Sequence, residues 1–240
     1  MRKRIWIIGA SDGIGAALAR AWAKEDVDLI LSARSEDKLT ALASEIGGAE
    51  VIAIDVADRA SVNAAAAKIT TPLDCIVHLA ATYDPGKIAE VDPNTAGQIV
   101  TVNLTGTFHI AQIAPPLLRK GGQLAICGSV AGYIGLPQGQ IYSATKAGVI
   151  NLTESLAAEH AGQIDVRLIS PGFVDTRLTK RNDFTMPALI TPEIAAAEII
   201  KGLGKRGFEI NFPKRLTWGL KLLSALPYWA ALPLTKRLSR

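Results

Sequence analysis

Residues 5–24 constrain the fold of this chain more than any other stretch. Residues 5–10 form a short continuous apolar run, the pattern of a parallel strand buried on both faces. They run into Gly9-Ala10-Ser11-Asp12-Gly13-Ile14-Gly15, after which residues 16–24 read as a helix. In this order, the glycines let the backbone turn tightly and approach a diphosphate. The helix start offers free N–H groups and a positive dipole end to it. Gly9, Ser11, Asp12, Gly13, Ile14 and Gly15 are therefore candidate dinucleotide-binding residues, against the plainer reading of a tight turn.

The same alternation continues along the chain. Further strand-like runs cover residues 27–33, 51–56, 73–80, 122–128, 165–170 and 208–212. Helical stretches separate them at 36–46, 58–69, 94–118 (with a break near Pro115-Pro116), 140–160 and from Thr191 onward. Alternating strands and helices specify a doubly wound α/β fold, with a seven-stranded parallel sheet and right-handed crossovers. No linker-like segment divides the chain, so residues 1–213 read as one dinucleotide-binding and catalytic domain. Residues 214–240 read as an amphipathic extension rather than an independent domain.

Ligands of such sheets bind beyond the carboxyl ends of the strands. Arg34 stands there, 19 residues after Gly15, and no acid occurs between Leu29 and Ser35. An acid at this place accepts from a ribose 2′-hydroxyl, whereas an arginine accommodates a 2′-phosphate, which favours NADP over NAD. The plainer reading is a solvated loop charge. Ser11 and Ser35 can add hydroxyl contacts. Asp55 and Val56 end the third strand, where Asp55 suits the adenine amino group or the cap of the next helix. Ala80, ending the fourth, is small enough to let a cofactor lie against the backbone.

The chemistry sits in the helix at 140–160. Tyr142 and Lys146 lie four residues apart and hence on one helix face, and Ser129 precedes them at the end of the fifth strand. A phenol, an ammonium and a hydroxyl suit proton transfer at an alcohol or carbonyl oxygen. A free tyrosine has a pKa near ~10. Bringing it down by about 3 units takes roughly 4 kcal/mol, which a close lysine and a cationic cofactor ring can supply. Taken alone, Tyr-x-x-x-Lys is no more than a helix surface pair. Asn103, in a largely apolar helix, holds a structural place or a water.

Composition excludes several classes. The chain is 49% hydrophobic and 20% charged, as in a folded, core-rich protein. Cys75 and Cys127 lie in apolar runs and read as core filling, and the three histidines have no ligand spacing, so no metal site is expected. The net charge of +4 conceals an asymmetry. Residues 201–240 hold nine Lys/Arg and a single acid, Glu209, so the rest of the chain is net negative and no nucleic-acid footprint is expected. The apolar start is too short for a signal peptide, which points to a cytoplasmic protein.

The combination of motifs over residues 3–213 resembles the short-chain dehydrogenase/reductase family. The glycine turn has its G-x-x-x-G-x-G form, and Asn103, Ser129, Tyr142 and Lys146 fall where that family places its catalytic tetrad. The resemblance implies hydride transfer between a nicotinamide and a small carbonyl or secondary alcohol. It makes Tyr142 the general acid/base, Ser129 the group that polarises the substrate oxygen, and Lys146 the ribose-binding cation that lowers the Tyr142 pKa. It gives Asn103 a water relay, and it implies that Pro171, Gly172, Val174 and Thr176 contact the nicotinamide end. It also implies a homodimer or homotetramer. One departure stands out: His78-Leu79-Ala80-Ala81 replaces the family's usual Asn-Asn-Ala-Gly. The other readings of the chain are an NADP(H)-binding sensor or scaffold with little turnover, and a sugar-nucleotide epimerase or dehydratase on a related fold.

Tyr133, Ile134, Leu136, Phe173, Phe184 and Met186 are the expected substrate-pocket walls, with residues 178–190 as a lid. In the extension, helical projection of residues 214–226 gathers Leu216, Trp218, Leu220, Leu222, Leu223 and Leu226 on one face, opposite Lys214, Thr217, Lys221 and Ser224. That apolar face either packs on protein or lies on an anionic membrane surface. Lys221 and two prolines preclude a membrane span.

Overall fold

The computed structural model describes residues 2–237. Seven parallel strands form one sheet in the order β3-β2-β1-β4-β5-β6-β7. They are β1 (Lys3–Ile8), β2 (Val27–Ser32), β3 (Glu50–Val51), β4 (Leu73–His78), β5 (Leu118–Cys127), β6 (Asp165–Pro171) and β7 (Glu209–Phe212). The helices between them are α1 (Gly13–Trp22), α2 (Glu36–Glu45), α3 (Arg59–Ala67), α4 (Pro93–Val100), α5 (Gly106–Leu117), α6 (Gln140–Glu159) and α7 (Pro192–Leu203). Two more, α8 (Lys214–Ser224) and α9 (Tyr228–Arg237), follow β7.

Strand side chains alternate between the faces, so continuous apolar runs feed two cores. Ile5 and Ile7 of β1 face the layer of α1, α2 and α7, while Trp6 and Ile8 face that of α3, α5 and α6. The strand order reverses beside β1, which pairs with β2 on one side and β4 on the other. A crevice opens at that reversal, beyond the carboxyl ends of the strands.

Three expectations need correction. The third strand is regular only over Glu50–Val51, although the Ile52 and Ile54 amides still bond the Leu31 and Ala33 carbonyls, both at 3.0 Å. The long fourth helical stretch is not interrupted at its prolines, which lie in the last turn of α5. Its irregularity is a π turn over Thr101–Thr105, centred on Asn103. The third concerns α8, whose apolar face is only partly covered by the protein. Thr217 and Leu220 are buried, while Trp218 and Leu222 point outward.

Polar partners on β7 explain how the helix is turned. Lys221 bonds the Glu209 carboxylate, and the Thr217 hydroxyl and Lys214 ammonium donate to Asn211 Oδ1 at 3.1 and 2.8 Å. A half-buried carboxylate is costly without a cation, so Lys221, and Thr217 one turn before it, are drawn inward. Burial pushes the Glu209 pKa up. Its bonds from Lys221 and Tyr133, joined by Asn211, outweigh that and hold it below the usual range.

Candidate active site

The glycine turn is built first by the chain's own packing. Gly9 has φ +93°, and a Cβ there would lie 2.6 Å from the Ala80 backbone nitrogen. A Cβ on Gly15 would lie 2.1 Å from the Gly9 carbonyl oxygen. Only glycine allows β1, β4 and α1 to meet so closely. Asp12 caps α1, accepting from the Gly13 amide at 2.7 Å.

A crevice of about 590 Å³ lies over this turn. It is lined by Gly9, Ser11, Asp12, Gly13, Ile14 and Gly15, and further along by Arg34, Asp55, Val56, Ala80 and Thr176, all expected from sequence. Asp55 faces the crevice and also accepts from the Ala57 amide at 3.0 Å, while the cap of α3 is Asp58. Ser35 and Lys38 join Arg34 in the lining. Neither Arg34 nor Lys38 has a hydrogen-bond or ion-pair partner among the described residues. Hydroxyls, two unpaired cations, a helix N-terminus and a glycine turn form a donor set that fits a dinucleotide diphosphate and an added phosphate.

The sequence reading missed Lys38, Tyr83, Arg177 and Arg181. Lys38 was discoverable, being one turn beyond Arg34 at the start of α2. The other three depend on tertiary contacts. Arg177 pairs with Asp12 at 3.3 Å, and Arg181 reaches the Tyr83 carbonyl at 2.7 Å and Asp84 at 3.2 Å. The Tyr83 hydroxyl donates to Asn182 at 2.7 Å. Together these contacts tie the segment after β6 down over the crevice.

The inner end of the crevice reaches Cys127 and Tyr83. Cys127 thus touches both the core and the site, rather than filling the core alone. Lys146, buried, donates to the Cys127 carbonyl at 2.8 Å, with its ammonium 5.8 Å from the Tyr142 ring centroid. Tyr83 meets Tyr142 edge-to-face at 4.7 Å. Tyr142 and Lys146 continue the stripe by which α6 packs, through Val149, Thr153 and Leu156, so core burial fixes their orientation. Ser129 stands just past β5, its hydroxyl accepting from the Ala131 amide at 3.1 Å.

The phenol is not depressed in the chain by itself. Burial raises the Tyr142 pKa, the Cys127 side chain adds to that, and the Ser129 hydroxyl, bonding the phenol, works the other way. Burial lowers the pKa of Lys146. Tyr142 therefore rests as the protonated acid.

Asn103 is spent on architecture. Its carboxamide grips the Thr82 backbone from both sides, accepting from its amide at 2.8 Å and donating to its carbonyl at 2.9 Å. Its own carbonyl, exposed by the π turn, accepts from Thr107 Oγ1 at 2.6 Å. His78 Nε2 lies 3.1 Å from that same hydroxyl. Because Thr107 donates to Asn103, His78 must donate to Thr107, which leaves its buried Nδ1 unpartnered. Burial and the Lys146 charge push the His78 pKa down to about 3, so the ring is neutral. His78 ties β4 to the π turn in place of the asparagine usual there.

Several expected residues stand elsewhere. Pro171 pairs with Phe212, the Gly172 amide bonds the Phe212 carbonyl at 2.7 Å, and Val174 is in the core. None of the three lines the crevice, since Pro171 and Gly172 are tied to Phe212 and Val174 bridges to Ile190; Asn103, Ser129, Tyr142 and Lys146 also stand behind its lining rather than in it. Tyr133 bonds Glu209 behind the site and lies under Lys221, so its hydroxyl is not a free pocket wall. Ile134 and Leu136 are partly exposed on the loop before α6. Phe173 and Phe184 pack edge-to-face at 5.8 Å, and Met186 accepts from Asn182 at 3.2 Å. Asn182 thereby links Met186 to the Tyr83 hydroxyl.

Fold and crevice define a nicotinamide-dinucleotide enzyme of the Rossmann type. A family profile described as short chain dehydrogenase matches residues 3–186. A protein named uncharacterized oxidoreductase from Staphylococcus haemolyticus is 32% identical over 205 residues, covering 82% of this chain and 89% of its own. One of the same description from Staphylococcus epidermidis is 30% identical over 185 residues, covering 74% and 80%. An alcohol dehydrogenase from Thermococcus sibiricus, complexed with 5-hydroxy-NADP, superposes with a TM-score of 0.81 at 25% identity, covering 88% and 96%. A short-chain dehydrogenase from Sphingobium yanoikuyae, in complex with NADPH, shares the fold with a TM-score of 0.79 at 24% identity, covering 94% and 96%. The chain belongs to the short-chain dehydrogenase/reductase family and is an NAD(P)-dependent oxidoreductase.

Proposed function

We propose that this enzyme prefers NADP(H) and moves a hydride between the nicotinamide and a small carbonyl or secondary alcohol, with Tyr142 as general acid/base. The observation that carries this reading is that Tyr142, with Ser129 at its hydroxyl and the Lys146 ammonium 5.8 Å from its ring centroid, stands directly behind the crevice residues Tyr83 and Cys127. The bound dinucleotide supplies or accepts the hydride. In the reducing direction the substrate oxygen accepts hydrogen bonds from the Tyr142 and Ser129 hydroxyls. Tyr142, protonated at rest, gives its proton to that oxygen, and the Lys146 ammonium stabilises the phenolate left behind.

Asn103 acts as a positioning residue by fixing Thr82 against α6. A water relay through it would use the second lone pair of its carbonyl, since Thr107 takes the first. Pro171, Gly172 and Val174 then serve the nicotinamide end by shaping the backbone there. The unpaired Arg34 and Lys38 support the cofactor preference.

The test measures NADPH and NADH oxidation against a panel of aldehydes, ketones and quinones. Tyr142→Phe should lower kcat by about 10²–10⁴-fold, the range of a lost general acid. Tight NADPH binding without turnover by the unaltered chain would leave a binding role only. Arg34→Ser should raise the KM for NADPH about ten- to a hundredfold, as for a lost charge-assisted bond, and leave that for NADH nearly unchanged.

A further inference from the structure

Six of the eleven exposed large apolar side chains among the described residues lie between Trp218 and Leu234. In α8, Arg215, Trp218 and Leu222 share an outward face, spaced three and four residues apart. Trp218 is 65% exposed. In α9, Ala231 and Thr235 are buried, while Tyr228, Trp229 and Leu232 turn outward, Trp229 at 81% exposure. The protein-facing side of each helix is therefore already satisfied, and a second apolar set, Trp218 and Leu222 in α8 and Tyr228, Trp229 and Leu232 in α9, is left in water.

Charge says what covers it. Residues 210–240 contain no Asp or Glu and six Lys/Arg, and Arg215 stands on the outward face beside Trp218 and Leu222. A two-fold contact between copies would bring this acid-free surface against itself, with like charges facing. An anionic surface with an apolar interior meets both features. Aromatic and aliphatic side chains enter the boundary of headgroups and acyl chains, and basic side chains stay among the phosphates. No helix among the described residues is long and apolar enough to cross a membrane.

We propose that α8 and α9 form a peripheral docking surface for anionic lipid bilayers, seated on the catalytic domain through Glu209 and Asn211. This goes beyond the reaction and does not depend on the cofactor or substrate assignment.

Tryptophan emission reports the contact directly, because Trp6 and Trp22 are buried and only Trp218 and Trp229 meet water. The full chain is mixed with vesicles of phosphatidylglycerol and phosphatidylcholine, or of phosphatidylcholine alone, then floated and scanned. Flotation with the anionic vesicles, a blue-shifted emission and weakening by salt are expected. The combined variant Trp218→Ser, Leu222→Ser, Trp229→Ser should bind those vesicles about tenfold less or weaker while keeping its NADPH affinity. Should that variant fold poorly, Arg215→Glu should still lower anionic-vesicle binding several-fold and spare the rest. Absence of flotation with anionic vesicles, or equal binding to phosphatidylcholine alone, overturns the proposal. So does a halved molecular mass of the serine variant in solution, which would assign the face to a second copy.

Discussion

Helices α1 and α8 both present a tryptophan and a run of aliphatic residues, yet they use them in opposite ways. In α1 the apolar stripe of Ala16, Leu18, Ala19 and Trp22 packs into the core. In α8 Trp218 and Leu222 face water, while Thr217 and Lys221 face the protein. Periodicity marks the apolar side of a helix, but the neighbouring elements decide which side is covered. Next to α1 stand apolar sheet and α7. Next to α8 stands β7 with Glu209 and Asn211, whose polar groups require partners.

The sharpest way to break this contrast is to remove the two tryptophans separately. Trp22→Ala should cost about 3–5 kcal/mol, the range for truncating a buried aromatic. Trp218→Ala should stay within about 0.5 kcal/mol, as for an exposed site. Urea unfolding measures both, and equal losses would mean that α8 buries its apolar face after all.

Glu209→Gln probes the polar side of α8 with a smaller effect. It weakens the bonds from Lys221 and Tyr133 and should cost about 1–2 kcal/mol, discounted because water reaches the cluster. Acid should do the same to the unaltered chain. The folded pKa of Glu209 is lowered from 4.5, so its stabilising contribution is complete above that value and disappears as pH falls through the lower folded value. Denaturant midpoints between pH 6 and pH 3 should therefore converge for the two chains, each compared at the same pH.

The smallest expected change is a gain. A Cβ on Gly219, in the middle of α8, meets nothing within 4 Å. Gly219→Ala should stabilise by roughly 0.5–1 kcal/mol through helix propensity. The same change at Gly15 in α1 forces a Cβ onto the Gly9 carbonyl and should destabilise instead. Thermal midpoints moving in opposite directions would sharpen the comparison, and movement in the same direction would remove it.

Sequence by itself determined the doubly wound sheet, the glycine turn, the place of Arg34 and the grouping of Ser129, Tyr142 and Lys146. Each rests on local rules: short continuous apolar runs for buried strands, glycine stereochemistry, strand ends at the crevice for Arg34 and Ser129, and four-residue spacing on a helix for Tyr142 and Lys146. Tertiary structure alone decided the rest. It put the irregularity at Asn103 rather than at Pro115, because His78 and Thr107 of separate elements support a π turn there. It turned Tyr133 toward Glu209, drew Arg177 and Arg181 over the crevice, and set the outward face of α8. It also keeps Tyr142 protonated, since a phenol's pKa depends on its enclosure as well as on the lysine one turn away. All of these are pairings between residues distant along the chain, and a local pattern carries no information about a partner it does not contain.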